Sequence, residues 1–137
     1  MNIEKELRDA ILGMSAVTGL VVARIWDEWF RTETLPAVVY EFDNEDQSND
    51  LAGLSRLRIA DINIICRADT RAGSRALAEA MRLNGTNPGT GLAGYTSTTF
   101  DAWLESEQAA AVPKIEGGND YWYDTNMSFR LQWTEVA

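Results

Sequence analysis

Residues able to carry out acid–base, nucleophilic or metal chemistry are few in this chain, and their spacing suits none of the three well. Histidine is absent, which removes the side chain that titrates nearest neutral pH and the commonest zinc ligand. Cys66 is the single cysteine, so no internal disulfide forms. It sits on the apolar phase of an alternating stretch and reads as a small buried hydrophobe rather than a nucleophile. What remains is carboxylate chemistry. Glu105 and Glu107, two residues apart on a strand-like stretch, share a face as an acid–base pair would, although strand alternation also places carboxylates this way by chance. Asp43, Glu45, Asp46 and Asp50 offer oxygen ligands for calcium, but their spacing lacks the glycine and the terminal bidentate glutamate of a helix–loop–helix site. A solvated hairpin tip accounts for them better. The segment 85–94 holds Gly85, Gly89, Gly91 and Gly94 but follows no strand and ends in no Lys-Ser/Thr, so it reads as a loop leaving a helix rather than a phosphate cradle. The expectation is a chain with no catalytic residues, no cofactor and no metal.

The elements that must position these side chains follow from hydrophobic periodicity. With 137 residues, 45% of them apolar, one domain over 1–137 with one core is expected. The charged opening Met1–Glu6 lacks the apolar run of a signal peptide, and no apolar run approaches the roughly 20 residues of a membrane helix, so a soluble chain with no membrane contact is expected. Ile3, Leu7, Ala10, Ile11 and Met14 recur at helical spacing. A second helix fits Thr70 to Asn84, with Ala76, Leu77, Ala80 and Met81 as its apolar stripe, Asp69 or Thr70 as its cap and Asn84-Gly85 as its stop. Near the C-terminus Tyr121, Tyr123, Thr125, Met127, Phe129, Leu131 and Trp133 alternate with polar residues, and Trp122 is the one large apolar residue on the wrong side. Ala60, Ile62, Ile64, Cys66 and Ala68 mark another strand, whose earlier half leaves Leu57 and Ile59 out of phase. Either a bulge near Ile59–Ala60 or an outward apolar patch covered by a partner explains the mismatch. Val38, Tyr40 and Phe42 mark a third strand after Pro36, and Phe100, Ala102 and Leu104 a fourth. The hairpins are expected to turn through Asn44–Asn49 and Pro113–Asp120. The resulting expectation is an α+β two-layer sandwich: a four-stranded, mainly antiparallel sheet with two helices on one face.

Charge is the other strong signal. The net charge is −9, and it is unevenly distributed. From Ile25 to Asp50 eight acids face the single base Arg31, whereas from Leu51 to Arg82 six arginines face three acids. Ordinary solubility accounts for an acidic domain. A head-to-tail contact between one copy's acidic end and its neighbour's arginine-bearing surface accounts for the asymmetry as well, and such contacts can close a ring. Five tryptophans add to the case. Trp26, Trp29 and Phe30 either seal one edge of the core or anchor a partner, and Trp122 is a further anchor candidate. With Arg56, Leu57, Arg58 and Ile59 these form the expected subunit or partner interface. Stacking of single-stranded nucleic acid on the rings is disfavoured by the surrounding negative charge.

The ordered set of pieces resembles the tail-completion, or tail-terminator, proteins of long-tailed bacteriophages and phage-like gene-transfer particles. The resemblance rests on the helix Ile3 to Met14, Arg24-Ile25-Trp26, Leu35-Pro36-Ala37-Val38-Val39-Tyr40 with the acidic turn after it, Ile62-Asn63-Ile64-Ile65-Cys66, the helix Ala72 to Leu83 leading into Asn84-Gly85, and Phe129-Arg130-Leu131-Gln132-Trp133. The glycine-rich loop and the segment Tyr95 to Val112 match least. The resemblance implies a non-enzymatic virion protein, assembled in the bacterial cytoplasm, that forms a ring, usually of six copies, on the head-proximal end of the tail tube. Its implied partners are further copies of itself, the tail tube protein, the head-connector protein and double-stranded DNA passing without specific binding. Asp43, Glu45, Asp46 and Asp50 are then candidates for lining the DNA channel. The competing reading is a small acidic binding module that mimics DNA. Such a module needs no outward apolar residues at Trp26, Trp29, Leu57 and Ile59.

Overall fold

The computed structural model describes residues 2–30, 34–86, 89–115 and 117–134 apart from 51–52, with side chains throughout except over 44–50 and 53–56. Helices α1 (Ile3–Leu12) and α2 (Ser15–Val21) lead into β1 (Ile25–Asp27), β2 (Ala37–Asp50) and β3 (Gly53–Ala68). Helix α3 (Arg71–Leu83) follows, then β4 (Tyr95–Thr96), β5 (Asp101–Pro113) and β6 (Tyr121–Thr134).

The strands form one sheet in the order β1-β2-β3-β6-β5-β4, with β1 parallel to β2 and every other pair antiparallel. This overturns the expected four-stranded antiparallel sheet with two helices. The sheet is six-stranded and mixed, curls into a half-barrel and carries three helices. The additional elements are α2, β1 and β4, of seven, three and two residues, too short for a periodic pattern to register. Breaks in register at Phe42/Asn44 and Gln47/Asn49 on β2, and at Leu104/Ser106 on β5, are bulges of the kind that bend long strands and increase their twist.

A single apolar core joins the helices to one face of the sheet. Ile3, Leu7 and Ile11 of α1, Val17 and Val21 of α2, and Leu77, Ala78 and Met81 of α3 are buried against Ile62, Ile64, Cys66, Met127, Phe129 and Leu131. Alternation therefore orients β3 and β6 as their sequences indicate. On α3 the stripe is rotated slightly: Ser74 and Ala78 face the core, while Ala76 is exposed. The Ser74 hydroxyl shares a 2.8 Å hydrogen bond with Thr125 and donates to the Cys66 carbonyl at 2.8 Å, which satisfies a buried polar group.

The ends of α3 are chemically fixed. The Thr70 hydroxyl accepts from the Gly73 amide at 3.0 Å. At the other end Asn84 adopts the left-handed conformation (φ 50°). Its side chain accepts from the Ala16 amide at 3.1 Å and donates to the Thr90 hydroxyl at 3.0 Å, so one buried residue ties α3, the start of α2 and the glycine-rich loop together. The loop itself packs on the end of α3, where the Leu92 amide donates to the Met81 carbonyl at 2.8 Å and the Ala93 amide to the Arg82 carbonyl at 3.2 Å. Gly91 is obligatory there, because a Cβ would lie 2.0 Å from the Arg82 carbonyl oxygen.

The two hairpins differ in outcome. The second turns between Pro113 and Tyr121, with the Lys114 amide donating to the Asp120 carbonyl at 3.0 Å. The first does not turn through Asn44–Asn49. Those residues continue β2, which pairs with β3 as far as Asp50↔Gly53. Pairing of β3 with β6 begins only at Leu57↔Thr134, so the hairpin projects beyond the described end of β6 only over 48–50 and 53–56, whereas 44–47 pair with β3 residues that β6 also flanks.

Candidate functional site

The face of the sheet away from the helices is where side chains of chemical interest gather. Its centre is Arg67 on β3. The guanidinium grips Asp124 of β6 through two hydrogen bonds, Nε to Oδ1 at 2.7 Å and Nη2 to Oδ2 at 2.9 Å. The same group lies 4.3 Å from the centroid of Phe30 and 4.4 Å from that of Trp122. Both charged side chains are largely buried, a position tolerated because fork-to-fork pairing and aromatic faces together replace water. Trp122 thus occupies the polar phase of its strand because a cation on the neighbouring strand needs a cover. Phe30, expected at an interface, is the opposite wall of the same sandwich. Further along this face Arg130 pairs with Asp61 at 3.1 Å and Glu105 at 3.5 Å.

The remaining expected interface residues separate by phase. Leu57 and Ile59 oppose Thr134 and Gln132 in a β3–β6 register that runs without interruption. Against β2 the register shifts on either side of Ile59–Ala60, between Ile62 and Asp61 and between Arg58 and Leu54, and the Leu57 and Ile59 side chains lie on the outer face, half-buried. Arg58 takes the other phase, opposite Trp133. The side chain of Arg56 lies outside the described residues. Trp26 pairs with Val39 on the outer face and is half-buried, whereas Trp29 is 66% exposed. Trp103, opposite Arg130 and 38% exposed, is a surface aromatic that sequence reasoning did not single out. The alternation of Phe100, Ala102 and Leu104 already placed it on the opposite face.

A groove of about 300 Å³ lies at the β1–β2 edge, lined by Glu4, Asp27, Glu28, Glu41 and Asp43, with Trp29, Tyr40 and Phe42 as aromatic walls. The turn leaving β1 sets its rim. Glu28 is left-handed (φ 69°), its amide donates to the Tyr40 carbonyl at 3.0 Å, and the Trp29 amide donates to the Asp27 carbonyl at 2.8 Å. Of the four acids expected to act together, only Asp43 lies in this groove, where it accepts from the Asn63 amide group. The side chains of Glu45, Asp46 and Asp50 lie outside those described, and their backbone is strand rather than loop.

Glu105 and Glu107, which strand alternation would put on one face, are separated by the bulge on β5. Glu105 reaches Arg130 on the outer face, while Glu107 reaches Arg82 of α3 at 3.3 Å on the helix side. Burial pushes the Cys66 thiol well up from its usual range, with smaller contributions from Glu107 and Asp124, so the reactive thiolate is disfavoured there. Among the described residues no three His, Cys, Asp or Glu side chains are gathered so as to hold a metal, and no helix is long and apolar enough to cross a membrane.

No protein-family model matches the chain, and no curated protein matches its sequence. Among solved structures, a chain from one described as the virion of a native gene transfer agent (GTA) particle aligns over 97% of this chain and 92% of its own length. The TM-score is 0.56 at 20% sequence identity. The two chains share a fold over nearly their full lengths.

Proposed function

We propose that this chain is a non-enzymatic structural component of a phage-like virion, and that it caps the head-proximal end of the tail tube as a ring of six copies. The observation that carries the reading is the end-to-end fold match to a chain of a gene transfer agent virion, with almost nothing left over on either side. The surface supports it: an exposed tryptophan beside an acidic groove and half-buried aliphatic residues on the outer sheet face suit a part that is completed by neighbours. The partners in this reading are other copies of the chain, the tail tube protein and the head-connector protein, with duplex DNA passing through. Of the candidate channel-lining acids, Asp43 lines the groove, and in this reading Glu45, Asp46 and Asp50 on the distal half of β2 are the ones that face the channel.

The test is tube growth. Purified tube protein polymerised with this chain should give tubes blocked at one end and of limited length, with the chain found at that end by electron microscopy. Tubes that grow equally long and blunt at both ends with or without it would overturn the proposal. The acidic groove favours one other reading, a DNA-mimicking module. A chain that ignores tube ends but displaces duplex DNA from a DNA-binding protein would support that reading instead.

A further inference from the structure

We infer that the groove at the β1–β2 edge is the socket of a contact between copies, and that its occupant is the amino-terminal half of α3 from a second copy, led by Arg71 and Arg75. The inference deepens the self-assembling reading above and rests on it. On the socket side five carboxylates and no basic side chain line the groove among the described residues, and Trp29 stands at the rim with 66% of its surface exposed. Glu4, Glu28 and Glu41 make no ion pair with the described residues. The aromatic is not a loose side chain on a free loop, because hydrogen bonds from the Glu28 and Trp29 amides hold the turn beneath it. Such an indole on a fixed turn, ringed by negative charge, suits a small apolar seat flanked by cations.

Helix α3 carries that complement. Arg71, Ala72, Arg75, Ala76 and Glu79 fall on one exposed helical face. The two alanines keep that face low, and the two arginines border them. Arg75 has no ion pair among the described residues, and Arg71 lies over the ring of Tyr123 at 5.3 Å. Socket and occupant lie on different parts of one molecule, the first at the sheet edge beside β1 and the second on the helix that covers β3 and β6. The contact is therefore head-to-tail, the type that closes into rings when the rotation permits.

Charge reversal on either side separates this contact from others. The full-length variants Glu28→Lys/Glu41→Lys and Arg71→Glu/Arg75→Glu, each checked for native circular dichroism, are compared with the unaltered chain by sedimentation over a range of concentrations. Each variant alone should self-associate at least ~10-fold more weakly, because like charges then meet at every contact. Mixed in equal amounts, the two should recover association to within about 3-fold of the unaltered chain, since every contact in an alternating assembly is again between opposite charges. A folding defect does not recover on mixing. Unweakened variants, or a mixture that fails to recover, overturn the inference, as does an unaltered chain that stays monomeric throughout. None of these outcomes bears on whether tube growth is blocked, which is decided separately.

Discussion

At the scale of single residues, the strongest local arrangement is Arg67 with Asp124, Phe30 and Trp122. Both residues of the ion pair were visible in the sequence as polar positions on adjacent strands, but their partnership required the β3–β6 register, which places Arg67 directly opposite Asp124. The contact of Trp122 with Arg67 was not legible, because sequence alternation says which face a residue takes and nothing about what it packs against. The arrangement predicts an ordered loss of stability. Arg67→Lys keeps the charge but loses the planar fork and the two-sided stacking, and should cost about 1–2 kcal/mol. Arg67→Ala leaves the Asp124 carboxylate buried without its cation and should cost about 3–5 kcal/mol. Replacing both charges by apolar side chains, as in Arg67→Met with Asp124→Leu, should cost less than Arg67→Ala alone, because no charge is then stranded. Urea denaturation midpoints at constant slope give the comparison. Equal midpoints for Arg67→Ala and the unaltered chain would show that Asp124 is solvated rather than held.

At the scale of elements, legibility depended on length and on the chemistry of the ends. Helix α3 was readable because Thr70 and Asn84 bracket it and its apolar spacing runs for three turns. Helix α2 was not, since seven residues that include two valines, a threonine and a glycine carry little intrinsic helical preference, and its fixed point is Asn84, far away in sequence. The stretch 44–50 was misread as a turn because Asn and Asp favour turns locally, yet pairing with β3 overrides that preference. The glycine-rich segment was read as a loop leaving a helix, but its packing was hidden: its Leu92 and Ala93 amides donate to the Met81 and Arg82 carbonyls at the end of α3. This gives a prediction that separates two glycines in one loop. Gly91→Ala forces a Cβ into the Arg82 carbonyl and should cost about 3 kcal/mol, detaching the loop from the helix end. Gly89→Ala meets open space and bears only the strain of a positive φ, about 1 kcal/mol. Hydrogen exchange at the Leu92 and Ala93 amides locates the effect. It should rise sharply in the first variant and little in the second, and similar rises in both would mean that the loop is not seated on α3 at all.

At the scale of the whole molecule, the curled sheet separates functions that the sequence placed side by side. The same acidic stretch supplies both the groove beside Trp29 and the distal half of β2, and the bulge between Phe42 and Asn44 marks the boundary between them. Asp43 falls on the groove side, and Glu45, Asp46 and Asp50 fall on the distal half of β2. In the proposed ring, neighbours neutralise the first group while the second stays unpaired and faces the passage. Fixed negative charge on such a wall repels phosphates, so the duplex slides without adhering. Reversing these three alone, Glu45→Lys with Asp46→Lys and Asp50→Lys, should leave assembly intact because the socket and α3 are unchanged. The variant ring should then acquire duplex binding that the original lacks. A wall of lysines that meets several phosphates should lose about 1,000-fold in affinity between ~50 and ~200 mM salt, the signature of counterion release. Particles carrying the variant should deliver DNA more slowly while retaining normal tails. Tight duplex binding by the unaltered ring, or unchanged delivery by the variant, would mean that this end of β2 points away from the DNA and that its charge serves another neighbour.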